Sequence, residues 1–167
     1  ATAGSLVALA GTALVVQKPL LPPAEPGQAV PVANEYPANT FVIREDQTLS
    51  GAVNVESLVV EEGMTLFIDA DTNIYATDVV LIYGNVRVVN QDLPGERGFD
   101  LAIQSERHII VNGSVEGSDG AAGVVPLQRG GSGGWLTFTA PAVMFASSPA
   151  VGGNGADGGP GGHGGHG

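Results

Sequence analysis

The chain has 167 residues, enough for one domain and an extension. Its 17 acidic residues against 6 basic ones give a net charge of −11; one lysine, Lys18, and five scattered arginines make no cationic cluster of the kind that nucleic acid or an anionic membrane surface requires. Cysteine is absent, which excludes disulfides and thiolate chemistry, and only 5% of residues are aromatic, so the apolar mass is aliphatic.

The chain divides into four zones. Residues 1–17 form an apolar arm, whose stretch "LVALAGTALVV" (6–16) is apolar almost throughout. It is too short to span a membrane, which takes about 20 residues, and no cationic region precedes it as in a signal peptide. The opening "ATAGS" reads as the start of a chain already processed, after export. Residues 18–40, "KPLLPPAEPGQAVPVANEYPANT", hold six prolines and predict an extended linker, because proline fixes φ and removes a donor.

Residues 41–116 predict a β body. "FVI" (41–43), "SLVV" (57–60), "MTLFI" (64–68), "VVLIY" (79–83), "NVRVV" (85–89) and "RHIIVNGSV" (107–115) are short β-branched runs between Asp, Asn, Gly and Glu turns. No window keeps a helical stripe with caps, so helix is expected to be close to nil. Residues 117–167 are glycine-rich, with one strand-like island at 135–145; 18 of the 26 glycines fall at or after Gly113.

"VLIYGNVRV" (80–88) and "IIVNGSVEG" (109–117) share an arrangement of apolar pair, glycine and valine. Regular short strands suit either a sandwich or a solenoid of stacked parallel strands. A sandwich asks for hairpin turns, yet the only Asn-Gly pair within residues 41–116, Asn112–Gly113, lies inside a valine-flanked run. Continuously apolar runs such as "VVLI" favour parallel strands buried by neighbours. The expectation is therefore all-β: a short parallel β-helix-like solenoid body, an extended N-terminal arm and a C-terminal zone resembling polyproline or polyglycine II. Val59, Leu66, Ile68, Ile74, Val80, Ile82, Val86, Val88, Ile110 and Val115 are expected inward.

The stretch "LVVEEGMTLFIDADTNIYATDVVLIYGNVRV" resembles right-handed parallel β-helix repeats of secreted bacterial surface proteins of the adhesin or filament type. "GGSGGWLTFTAP" and the later glycine clusters resemble glycine-rich insertions in proteins of that kind. The resemblance covers about 110 residues from 48 onward and implies an extracellular structural or adhesive role with no particular chemistry.

Candidate chemistry is sparse. Asp69, Asp71 and Asn73 in "DADTN" place oxygen ligands at alternate positions, as a calcium loop begins. Ile74 stands where an EF-hand needs glycine and Val80 where it needs glutamate, which leaves either calcium in an irregular acidic turn or a solvated turn. His163 and His166 in "HGGHG" are metal-ligand candidates only if a neighbouring subunit completes the site; otherwise they are polar side chains facing water. Otherwise no cofactor is expected. No nucleophile motif is present, and His108 is the only histidine outside the tail. Carboxylates at Glu61, Glu62, Asp69 and Asp71 lack the aromatic platforms that a polysaccharide-cleaving site uses. The expectation is a protein that is not an enzyme. Asn112–Gly113–Ser114 is a glycosylation sequon, and Lys18 is a candidate for an isopeptide link or simply an ordinary charged flank.

The leading functional expectation is a structural subunit of an extracellular filament or surface polymer of itself. Leu6, Val7, Leu9, Leu14, Val15 and Val16 form its assembly interface, and glycine-rich packing adds to it. The alternative is a monomeric carbohydrate- or surface-binding β-domain, a piece of an adhesin.

Overall fold

The computed structural model describes residues 36–146 and 150–167, and Phe41–Gly167 form one compact unit. The described residues form eleven strands, in chain order: β1 (Thr40–Ile43), β2 (Gln47–Val55), β3 (Ser57–Val60), β4 (Thr65–Ala76), β5 (Val79–Ile82), β6 (Asn85–Val88), β7 (Leu101–Ser105), β8 (His108–Val111), β9 (Ser114–Glu116), β10 (Leu136–Thr139) and β11 (Ala142–Phe145). There is no helix among the described residues.

The strands make two sheets. One runs β1-β3-β5-β8-β11; the other runs β10-β7-β4-β6-β9, with β2 also on β4. The pairings are parallel, from Leu58 with Val80, through Val80 with Ile109, to Ile109 with Val143. β4 serves two ladders: its first part, Thr65–Ile68, pairs with β6 and its second, Thr72–Ala76, with β7. β2 lies along both parts, with a register shift between Leu49 and Gly51, where Gly51 takes φ 75°. Only glycine reaches that left-handed conformation at little cost.

Alternation explains the core. Leu66, Ile68, Ile74, Val80, Ile82, Val86, Val88, Ile103, Ile109, Val111 and Val115 are at most 1% exposed and form a single cluster fed by both sheets. Strands paired on both sides lose water from one face entirely, which suits Val, Ile and Leu.

Three expectations need correction. The body is not a β-helix-like solenoid: what forms is two parallel sheets, and no repeating coil length runs through them. Residues brought side by side are 21 apart in the chain at Ser57 and Asp78, 29 apart at Asn85 and Ser114, and 35 apart at Asp100 and Trp135. The lengthening arises because residues 89–100 and 117–135 leave the strands to build the glycine-rich zone. The island at 135–145 is two strands, one in each sheet, and not a single run. Ile110 is half-buried and outside the core, while its neighbours Ile109 and Val111 are fully buried. Two adjacent isoleucines leave the phase of alternation open in the sequence, and pairing with Val80 and Ile82 fixes it.

The glycine-rich segments are held by backbone. Gly117, Gly120 and Gly123 donate to the carbonyls of Val151, Asn154 and Asp157, and Gly130 and Gly133 donate to those of His163 and His166, at 2.7–2.9 Å. Partners recur every third residue, as they must when an extended backbone makes one turn in three residues. A second row runs from Gly134 to Ser118, from Gly131 to Ala121 and from Ala121 to Glu96. The tail therefore rests on its own chain, with its carbonyls accepting from amides of neighbouring segments.

Candidate assembly site

Side-chain oxygens pin the layers to one another. Asp71 Oδ1 accepts from the Asp100 amide and Asp100 Oδ1 from the Trp135 amide, both at 2.9 Å. Asn90 Oδ1 accepts from the Asp119 amide and Asp119 Oδ1 from the Asn154 amide. Each acceptor fixes the height of the next segment and so sets the register of the strand or tail beyond it.

These ladders lead to an end that the described residues leave open. β10 lies on β7 and β11 on β8, so Leu136 and Phe138 continue the columns of Leu101 and Ile103, while Val143 and Phe145 continue those of Ile109 and Val111. The earlier members of these columns are fully buried; Phe145 is 45% exposed. Phe138 and Phe145 meet edge to face with ring centroids 5.3 Å apart, joining the two sheets across the end of the core. Beside them an open cavity of about 760 Å³ is lined by Trp135, Leu136, Phe138, Phe145, Ala150 and glycines of the zone and tail. Trp135 is 73% exposed, and Met144 and Val151 also face water. At the opposite end, β1 and β2 are likewise terminal strands among the described residues. A terminal strand presents unpaired donors and acceptors to whatever comes next.

Of the other candidates, His166 also lines this cavity. Asp69, Asp71 and Asn73 sit within β4 and face outward, so they form no turn. Asp71 Oδ2 is held by Arg97 at 2.9 Å, and Asn73 Oδ1 accepts from Gln104 at 3.4 Å. Arg97 also binds Asp100 at 2.6 Å, and these two carboxylates raise its pKa, the hydrogen bond it donates to Asp100 most of all. The oxygens of the expected calcium ligands are thus spread along a strand, part of them already engaged. His163 and His166 are both exposed, with their carbonyls taken by glycine amides; His108 lies on β8. Among the described residues no group of three or more His, Cys, Asp or Glu could hold a metal. Glu61 is paired with Arg44 at 3.1 Å. Asn112 is exposed at the corner between β8 and β9. Tyr75 donates a short hydrogen bond to Glu106, which raises the phenol's pKa.

Leu6, Val7, Leu9, Leu14, Val15, Val16 and Lys18 lie outside the described residues. Among the described residues no helix is long and apolar enough to cross a membrane.

Compared with protein-family models, with curated proteins and with solved structures, the chain shows no significant match. Its geometry is the only guide to its function. The feature that sequence reasoning missed is the open end. Its signal was "WLTFTAPAVMF", a run carrying four large apolar residues and a tryptophan in the midst of the glycine-rich zone.

Proposed function

We propose that the protein is a structural subunit of an extracellular filament or surface polymer made of copies of itself. The observation that carries this reading is the pair of unlike ends among the described residues: β1 and β2 terminate the sheets at one end, β10 and β11 at the other. All strands run parallel, so the two ends are complementary edges of the same ladders and not copies of one patch. Contacts between unlike patches are heterologous, and they propagate as an open assembly when the rotation does not close. The exposed aromatic and aliphatic residues of the last layer supply apolar area to bury in such a junction.

The apolar arm is the connector in this reading, and the glycine-rich zone is the rigid flank. The linker of residues 18–40 could span roughly 70 Å at about 3.1 Å per residue, enough to reach past one small domain. The outward carboxylates and the net charge of −11 keep the flanks of neighbouring assemblies apart.

Sedimentation of the purified full chain at rising concentration tests the reading. Growth into large species with concentration is expected. A species near 16.8 kDa that does not change with concentration contradicts it. A second reading, a monomeric carbohydrate-binding domain, draws on the exposed Trp135 beside the open cavity. It requires a 16.8 kDa species whose tryptophan emission responds to added oligosaccharide.

A further inference from the structure

We infer that the turns of the glycine-rich zone form a docking tip for a zwitterionic lipid bilayer, in which Leu127, with Leu93, Val124 and Val125, enters between the headgroups. The inference goes beyond the polymer reading and does not depend on it, because none of these residues lies in a strand of either sheet.

One turn is built three times. Leu93–Glu96 reads "LPGE", Val125–Gln128 "VPLQ" and Gly159–Gly162 "GPGG". In each, the fourth amide donates to the first carbonyl, at 3.0, 3.1 and 2.7 Å, and the third residue takes positive φ: 77° at Gly95, 63° at Leu127 and 75° at Gly161. Proline second and positive φ third make a type II turn, whose third position suits glycine or asparagine. The middle turn bonds to both others, the Leu127 amide to the Pro160 carbonyl and Gln128 Nε2 to that of Pro94. Two of the three turns carry glycine where it is needed, and the middle one carries a leucine in a conformation that bulky side chains rarely take. Packing does not account for this leucine, which is 79% exposed. Leu93, Val124 and Val125 are also exposed. A large apolar side chain that is both strained and in water points to a contact outside the chain.

The polar groups of the tip decide the partner. Gln128 Oε1 accepts from the amides of Val124 and Val125, at 2.9 and 3.2 Å, and Gly95 donates to the Ala122 carbonyl. Leu93 donates to Gln91 Oε1 at 3.4 Å, and Pro94 and Pro126 have no amide hydrogen. Every backbone donor in Leu93–Glu96 and Val124–Gln128 is thus absent or bonded within the chain. Backbone enters hydrocarbon only on that condition. Protein partners are held by hydrogen bonds and aromatic anchors, whereas these two turns offer aliphatic side chains and no free backbone donor. A bilayer asks for no directional bonds, only for apolar area at the boundary of headgroups and chains. Charge sets the kind of bilayer. Arg129 follows the middle turn and is the one arginine among the described residues without a carboxylate partner, so it is free to meet a lipid phosphate. Asp92 and Glu96 are exposed at the first turn, and with the net charge of −11 they disfavour an anionic surface.

The test titrates the full chain with phosphatidylcholine vesicles and reads binding by flotation. Binding is expected. Leu127→Gly should weaken it by about tenfold or more and leave the thermal unfolding midpoint no lower, because glycine relieves the positive φ. Met144→Ser, at an exposed apolar residue of the open sheet end, should leave binding within about threefold. Vesicles with added phosphatidylserine should bind less well. Absence of binding, binding that ignores Leu127→Gly, equal losses from Leu127→Gly and Met144→Ser, or tighter binding to the anionic vesicles would each overturn the inference. A lower unfolding midpoint for Leu127→Gly overturns it too, since the leucine would then serve the fold. So does loss of self-association by Leu127→Gly in sedimentation, since the tip would then be a contact between copies. A chain that stays at 16.8 kDa yet binds vesicles through Leu127 upholds the tip and overturns the polymer reading instead.

Discussion

In the strand body, Ile74, Val80, Val86 and Ile103 fill the space between backbones. In the glycine-rich zone, Gly131, Gly134 and Gly153 allow backbones to come together with nothing between them: a Cβ at these positions would fall within 1.6–1.9 Å of a carbonyl oxygen. Both regions satisfy their amides through neighbouring segments, one by sheet pairing and the other by bonds that recur every third residue. The difference shows that regular order does not require side chains, provided enough extended segments share the backbone bonds. It also sets opposite rules for substitution, since the body fails when side chains are removed and the zone fails when they are added.

The largest effect is expected from Ile103→Ala, which opens a cavity between Ile74 and Phe138 and should cost about 2–5 kcal/mol in denaturant unfolding. Next comes Gly153→Ala, whose new methyl would stand 1.6 Å from the Ser118 carbonyl oxygen; a loss of about 1–3 kcal/mol is expected, with faster amide exchange at Gly117 and Gly134. Asp119→Ala removes the acceptor of the Asn154 amide and should cost about 1 kcal/mol, with exchange increased at that amide first.

Gly152→Ala sharpens the comparison most, because it neighbours Gly153 and has no atom within 4 Å of its would-be Cβ. Its stability should stay within about 0.5 kcal/mol of the parent. If adjacent glycines respond alike, close backbone approach is not what selects glycine in the tail. The smallest effect concerns Tyr75, on the body's outer face. Its pKa is raised, so the contribution of its bond to Glu106 is fully present below the ordinary phenol value of about 10 and is lost as pH climbs through the raised one. A phenolate absorbance titration should show a late component from Tyr75, and Glu106→Ala should abolish it.

The sequence made some of this legible for physical reasons. Alternation in "NVRV" names Val86 and Val88 as core residues because polar residues stand between them. Where neighbours are equally apolar, as at Ile109 and Ile110, the pattern carries no phase and pairing decides it. "DADTN" looked like a turn because Asp and Asn favour turns, yet the strand passes there from one ladder to another with the carboxylates outward. Glycine density marked the C-terminal zone, but composition does not show which segments lie side by side. Nor does the end of a sheet show in one strand's sequence, which is why Trp135, Phe138 and Phe145 passed as ordinary strand residues.

Electron micrographs of the purified full chain test the central claim most directly. If subunits add end to end, unbranched filaments should appear with strands running across the axis, and their diffraction should carry a meridional reflection at about 4.8 Å, the spacing of paired strands. Discrete particles of 16.8 kDa, or filaments whose strands run along the axis, would contradict it.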